Sequence, residues 1–147
     1  MQDHFPEAAV RHYRDGALLH QADRYDNAMC HYAFSAECAI KAFNLQFQQV
    51  YTPHKRVGHD VVPVWRSMTE YCELLGVLDP RLSLLLGIGA APDILFQDHP
   101  ARRYGNDACY TDAELSLCGS FANKLMQQIV AAALDGRLEY MSERGAI

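Results

Sequence analysis

The chain has 147 residues, half of them hydrophobic and 21% charged, enough for one domain spanning 1–147 that buries about two-thirds of its unfolded surface. Thirteen Lys and Arg against eighteen Asp and Glu leave a net charge of −5. That balance excludes a general electrostatic nucleic-acid binder, whose affinity rests on an excess of basic groups that neutralise phosphates. No run of about 18 apolar residues is present to span a bilayer. The first residues, Met1-Gln2-Asp3-His4-Phe5-Pro6-Glu7, carry neither the basic nor the apolar region of a secretion signal. Cys30, Cys38, Cys72, Cys109 and Cys118 are an odd set without CxxC spacing, which reads as reduced thiols in a cytoplasmic protein.

Helical periodicity dominates the chain. Residues Phe5 to Ala22 form the first predicted helix, with Pro6 in the tolerated first turn and a face of Phe5, Ala9, Tyr13, Ala17 and His20. Gly16 on that face predicts a close helix contact, because it has no side chain to hold a neighbour away. His20, on the apolar side, reads as a satisfied core histidine.

The segment from Asp26 to Gln48 is apolar on two sides. Tyr25, Met29, Tyr32, Ala36, Ala39, Phe43 and Phe47 make one face, and Phe34, Cys38, Ala42 and Leu45 make the other. A narrow polar stripe of Glu37, Lys41, Asn44 and Gln48 runs between them, headed by Cys30. A helix of this kind is the central one of its domain or is shared with a partner chain. Its two faces are the basis for expecting a homodimer. The stripe must find hydrogen-bond partners or reach solvent through a groove.

Two short β-leaning fragments, Val50-Tyr51-Thr52 and Val61-Val62-Pro63-Val64, carry or adjoin proline and do not read as central strands. Asp60 can cap a helix through Trp65, Met68, Tyr71, Cys72 and Leu75. Asp79-Pro80 starts a segment from Leu82 to Ile88, and Ala91-Pro92-Asp93 breaks or restarts it. The last helix opens at Thr111 or Asp112, presents Leu115, Cys118, Phe121, Ala122, Leu125, Met126, Ile129 and Ala133 on one face, and ends at Asp135-Gly136. The predicted architecture is all-α, an up-and-down bundle of four to five helices.

Two long connections, Gln46 to Asp60 and Gln97 to Thr111, are locally basic in an acidic chain. The first reads His54-Lys55-Arg56-Val57-Gly58-His59-Asp60. The second reads His99-Pro100-Ala101-Arg102-Arg103-Tyr104. Cations beside helix N-termini and glycine-flanked amides suit phosphate; the alternative is solvated loop charge, or arginines paired with carboxylates such as Glu37. No Walker loop, GxSxG elbow or HExxH occurs. Cys30-His31, His54 and His59 match no zinc spacing, and no close cysteine pair anchors one end. Neither a metal nor a cofactor is therefore expected.

Together these residues resemble the HEPN superfamily (higher eukaryotes and prokaryotes nucleotide-binding domain). The resemblance runs from Ala17-Leu18-Leu19-His20-Gln21-Ala22-Asp23-Arg24-Tyr25-Asp26-Asn27-Ala28 through Phe34-Ser35-Ala36-Glu37-Cys38-Ala39-Ile40-Lys41-Ala42. It continues in Gly58-His59-Asp60 with Trp65, and in Arg103-Tyr104 before the last helix. The resemblance implies a helical, frequently dimeric domain that binds nucleotides or RNA. Many members are metal-independent RNases of toxin–antitoxin and phage-defence systems, with an Arg, four to six residues, then a His late in the domain. Here no histidine follows Arg102 and Arg103, which speaks against an enzyme of the usual kind.

The resulting expectation is a nucleotide- or RNA-phosphate-binding domain without that motif. Its site joins Glu37, Lys41, His59, Arg103 and Tyr104. Lys41 and Arg103 contact phosphate, Tyr104 stacks on a base, and Glu37 holds one of the cations. The same five residues can instead form a buried polar network that fixes loop positions. A second expectation is a metal-independent RNase using Arg24 and His31, seven residues apart and, on one helix, about 10.5 Å apart along a shared face. Roughly one such spacing arises by accident in a chain of this composition, and the pair Arg14 and His20 also fits while pointing about 120° apart. The third expectation is a non-catalytic interaction module that partners a nucleotidyltransferase.

Overall fold

A computed structural model describes residues 4–51, 58–75, 85, 87–104 and 110–134. Among the described residues five α-helices form in chain order: α1 Phe5–Gln21, α2 Tyr25–Tyr51, α3 Val62–Leu75, α4 Asp93–Phe96 and α5 Asp112–Leu134, with a 3-10 turn at Ala101–Tyr104 before α5. No strand occurs among the described residues, and none of their helices is long and apolar enough to cross a membrane.

The ends of the long helices are written in local chemistry. Leaving α1, Asp23 takes the left-handed conformation at φ 59, which a short polar side chain tolerates. Its N–H donates to His20 O (3.1 Å) and the Arg24 N–H to Leu19 O (2.9 Å), the two bonds of a Schellman cap. At the start of α5, Glu114 N–H donates to Thr111 Oγ1 (3.1 Å) and Thr111 N–H to Glu114 Oε2 (3.4 Å). Thr111 is thus the N-cap, in a reciprocal capping box.

α1 and α2 are antiparallel neighbours. Ser35 Oγ donates to Ala9 O (2.7 Å), His12 meets His31 and Phe34, and His20 meets Tyr25. Gly16 on α1 and Gly119 on α5 grip the ring of Tyr32 between them. A Cβ at Gly16 would lie 2.8 Å from Tyr32 Cδ1, and one at Gly119 2.9 Å from Tyr32 Cζ. The close contact expected at Gly16 is therefore present. The Tyr32 hydroxyl hydrogen-bonds His20 Nδ1 (3.1 Å), and His20 Nε2 bonds Asp112 Oδ1 (2.7 Å), which ties three helices at one end. His20 is satisfied, as its apolar surroundings required.

α2 is the central element. Ala28, Met29, Ala33, Ala36, Ala39, Ile40 and Phe43 are buried along it, and it packs against α1, α3, α4, the 3-10 turn and α5. Its alanines let neighbouring helices approach closely, while each large apolar side chain taken from water contributes about 1.5–3 kcal/mol. Most of both apolar sides is covered within one chain, while Leu45 on the second face remains exposed.

Two boundaries differ from the sequence expectation. α2 continues through Tyr51, so the first long connection is shorter than Gln46 to Asp60. α3 begins at Val62 with Val61 at its cap: Trp65 N–H donates to Val61 O (2.9 Å), and Pro63 occupies the first turn, where a missing N–H is harmless. The restart expected at Ala91-Pro92-Asp93 is the short α4. Cys109, the start at Asp79-Pro80, the stop at Asp135-Gly136 and the cations His54, Lys55 and Arg56 lie outside the described residues.

Candidate functional site

The polar stripe of α2 converges on one carboxylate. Glu37 has a side chain only 4% exposed, yet it accepts hydrogen bonds from three residues. Lys41, one turn on, donates from Nζ to Oε1 at 2.6 Å. His99, from the turn after α4, donates from Nε2 to Oε2 at 2.6 Å. His59, just before α3, places Nδ1 at 3.0 and 3.1 Å from the two oxygens. An ionised carboxylate only accepts, so each imidazole carries its proton on the nitrogen that faces Glu37. Burial opposes ionisation of Glu37, but the bonds from His99, Lys41 and His59 outweigh it and hold the carboxyl at about 2 against an ordinary 4.5.

Exposure grades outward from this point. The His99 side chain is 1% exposed, Lys41 12% and His59 51%. Nδ1 of His99 and Oδ1 of Asn44 are buried without a hydrogen-bond partner. The ring of Phe34 joins the carboxylate cluster to its surroundings: His99 meets it edge-on at 4.6 Å, His59 at 6.4 Å, and His12 stacks on it at 5.4 Å. The Arg103 guanidinium lies 5.6 Å from the same ring and 4.7 Å from that of Tyr104. Arg103 and Tyr104 are both exposed.

Arg102, its neighbour, has a different task. Its guanidinium donates to Ile94 O (3.3 Å), to Leu95 O and to the Tyr110 hydroxyl (3.3 Å). Those carbonyls belong to α4, so Arg102 fixes the turn that carries His99. Asp98, at φ 56, accepts from the Arg102 N–H at 2.7 Å and turns the chain at that point. Beyond Phe96, which touches His99 at 5.9 Å, lies an open groove of about 360 Å³ lined by Val62, Ala91, Pro92, Asp93, Phe96 and Gln97.

Of the five residues expected to form one site, Glu37, Lys41 and His59 meet directly. Arg103 and Tyr104 stand beside them, across Phe34, and do not touch the carboxylate. Sequence reasoning missed His99. The available signal was Glu37 itself, a buried acid on a two-sided apolar helix that needs more donors than one lysine, together with a histidine in each basic connection. Arg24 is exposed in the turn before α2, where its carbonyl caps the helix by accepting from Ala28 N–H (2.9 Å). His31 turns to His12, Nδ1 to Nδ1 at 3.1 Å. Burial, then the charge of His31, depress the His12 pKa below 6.5. Of the thiols, burial pushes Cys118 up to about 11 and also raises Cys30, so neither is an activated nucleophile. No family model matches the chain, and no curated protein or solved structure is significantly similar to it.

Proposed function

We propose that this chain is an HEPN-like helical domain, of a bacterial toxin–antitoxin or defence-type system, that binds a nucleotide or an RNA-type phosphate ligand. It does so without the late Arg-x(4-6)-His nuclease motif. The observation that supports this reading is the pairing of an exposed cation with an aromatic platform. Arg103 and Tyr104 lie side by side on the surface, held by a turn whose root, His99, is anchored on Glu37. An exposed guanidinium can donate to a phosphate oxygen, and an exposed ring 4.7 Å away can stack on a base. Lys41 adds a positive hydrogen-bond donor and His59 a half-exposed imidazole at the margin, with Glu37 holding both in place.

The net charge of −5 limits the ligand to a local site rather than a long nucleic-acid track. The same reading carries a homodimer and a nucleotidyltransferase-type protein as expected partners. Isothermal titration with ATP, AMP and a short single-stranded RNA tests the ligand. Binding that weakens about tenfold or more in both Arg103→Ala and Tyr104→Ala, each removing a contact of about 1–3 kcal/mol, supports the proposal. No binding of any of the three to the wild type refutes it.

A further inference from the structure

Glu37, His59 and His99 come from three separate segments, and each points one ligating atom at a common space, all three atoms lying within 4.8 Å of one another. Two imidazoles and one carboxylate are the donor set of open, three-ligand zinc and iron sites. We infer that this triad binds a divalent first-row transition ion, a role beyond phosphate recognition and independent of it. The absence of short-spaced ligand pairs argued against a metal in the sequence, but here the fold, not a local motif, assembles the donors.

The geometry is close to what an ion needs. Around a tetrahedral ion at about 2.0–2.1 Å, ligand atoms stand about 3.3 Å apart. Glu37 Oε2 is 2.6 Å from His99 Nε2 and 3.1 Å from His59 Nδ1. Lengthening the Glu37–His99 contact by less than about 1 Å makes room, and His59, half exposed, can follow the ion. Lys41 does not have to leave. It sits on Oε1, so Oε2 can ligate while Oε1 keeps the ammonium as the hydrogen-bonded support that ligating carboxylates ordinarily have.

Proton accounting also permits binding. A neutral imidazole that ligates through the nitrogen now carrying the proton must move that proton to its other nitrogen. In His99 the receiving atom is Nδ1, which is buried and makes no hydrogen bond, so the only bond given up is the one from Nε2 to Glu37, which ligation of the ion replaces. Three protein ligands leave a fourth position open, on the side where His59 meets solvent, for a water or an anionic oxygen.

The test is titration of the purified, chelator-treated chain with Co²⁺ and Zn²⁺, without any nucleotide. The expected result is one Co²⁺ per chain, with the intense visible absorption of a four- or five-coordinate ion, displaced by Zn²⁺. His59→Ala removes a ligand without opening the core and should weaken binding by about 100-fold or more. His12→Ala, which alters the other histidine pair, should leave it unchanged. Glu37→Gln and His99→Ala are read only where circular dichroism shows that they fold. Absence of stoichiometric Co²⁺ binding overturns the inference. So does binding that survives His59→Ala, or binding that is lost in His12→Ala.

Discussion

Replacing Glu37 with Gln removes one negative charge from beneath three donors while keeping the size of the side chain. Its cost can be worked out in two ways. A carboxyl held at about 2 in the folded chain and near 4.5 when unfolded stabilises the fold by about 3 kcal/mol at neutral pH. Breaking a buried ion pair by removing one partner typically costs about 3–5 kcal/mol, and the slight exposure of Lys41 favours the lower end. The sign with pH follows from the depressed pKa. The stabilisation is fully present above 4.5 and is lost as pH falls through about 2. Urea denaturation, followed by the fluorescence of Trp65, the single tryptophan, measures this directly. Glu37→Gln should lose about 3 kcal/mol at pH 7 and only about 1 kcal/mol at pH 3, where much of the wild-type advantage is already gone. A difference below about 1 kcal/mol at pH 7, or one that does not shrink on acidification, refutes the reasoning that Glu37 organises the cluster.

Other consequences concern the packing and the outer residues. Gly16→Ala gains about 1 kcal/mol of helix propensity but forces a Cβ into Tyr32 at a cost of about 1–3 kcal/mol, so its melting temperature should fall; a rise would show that the ring yields. Arg102→Ala strips donors from α4 carbonyls and should cost about 1–3 kcal/mol in urea, whereas Arg103→Ala, at an exposed guanidinium that lies over two rings, should stay within about 0.5 kcal/mol of wild type. Equal losses in the two variants would contradict their separate roles. The lowered pKa of His12 means that its contribution to stability is present above 6.5 and is lost as pH falls through the folded value. Wild type should therefore lose more stability than His12→Ala between pH 7 and 5, and parallel curves would contradict that.

Periodicity carried the fold well because each long helix announces itself locally. Thr111 with Glu114 encodes the start of α5, and the inward Gly16 foretold the slot for Tyr32. What periodicity could not show was which loop covers the second side of α2. That depends on where 58–61 and 88–100 return in space, and their pairings with α2 are long-range. For the same reason Glu37 and Lys41, one turn apart, were legible as a pair, while His99 was not. The helical-face argument for Arg24 with His31 assumed one continuous helix; Arg24 lies instead in the preceding turn, and His31 meets a partner on α1.

The claim that matters most is that phosphate ligands settle where Arg103 and Tyr104 stand beside the Glu37 cluster. Mapping amide chemical shifts in ¹⁵N-labelled protein during titration with ATP tests it most directly. The account predicts saturable shifts concentrated at Glu37, Lys41, His59 and His99 to Tyr104, abolished in Arg103→Ala. Shifts that centre elsewhere, or that persist unchanged in Arg103→Ala, would contradict it.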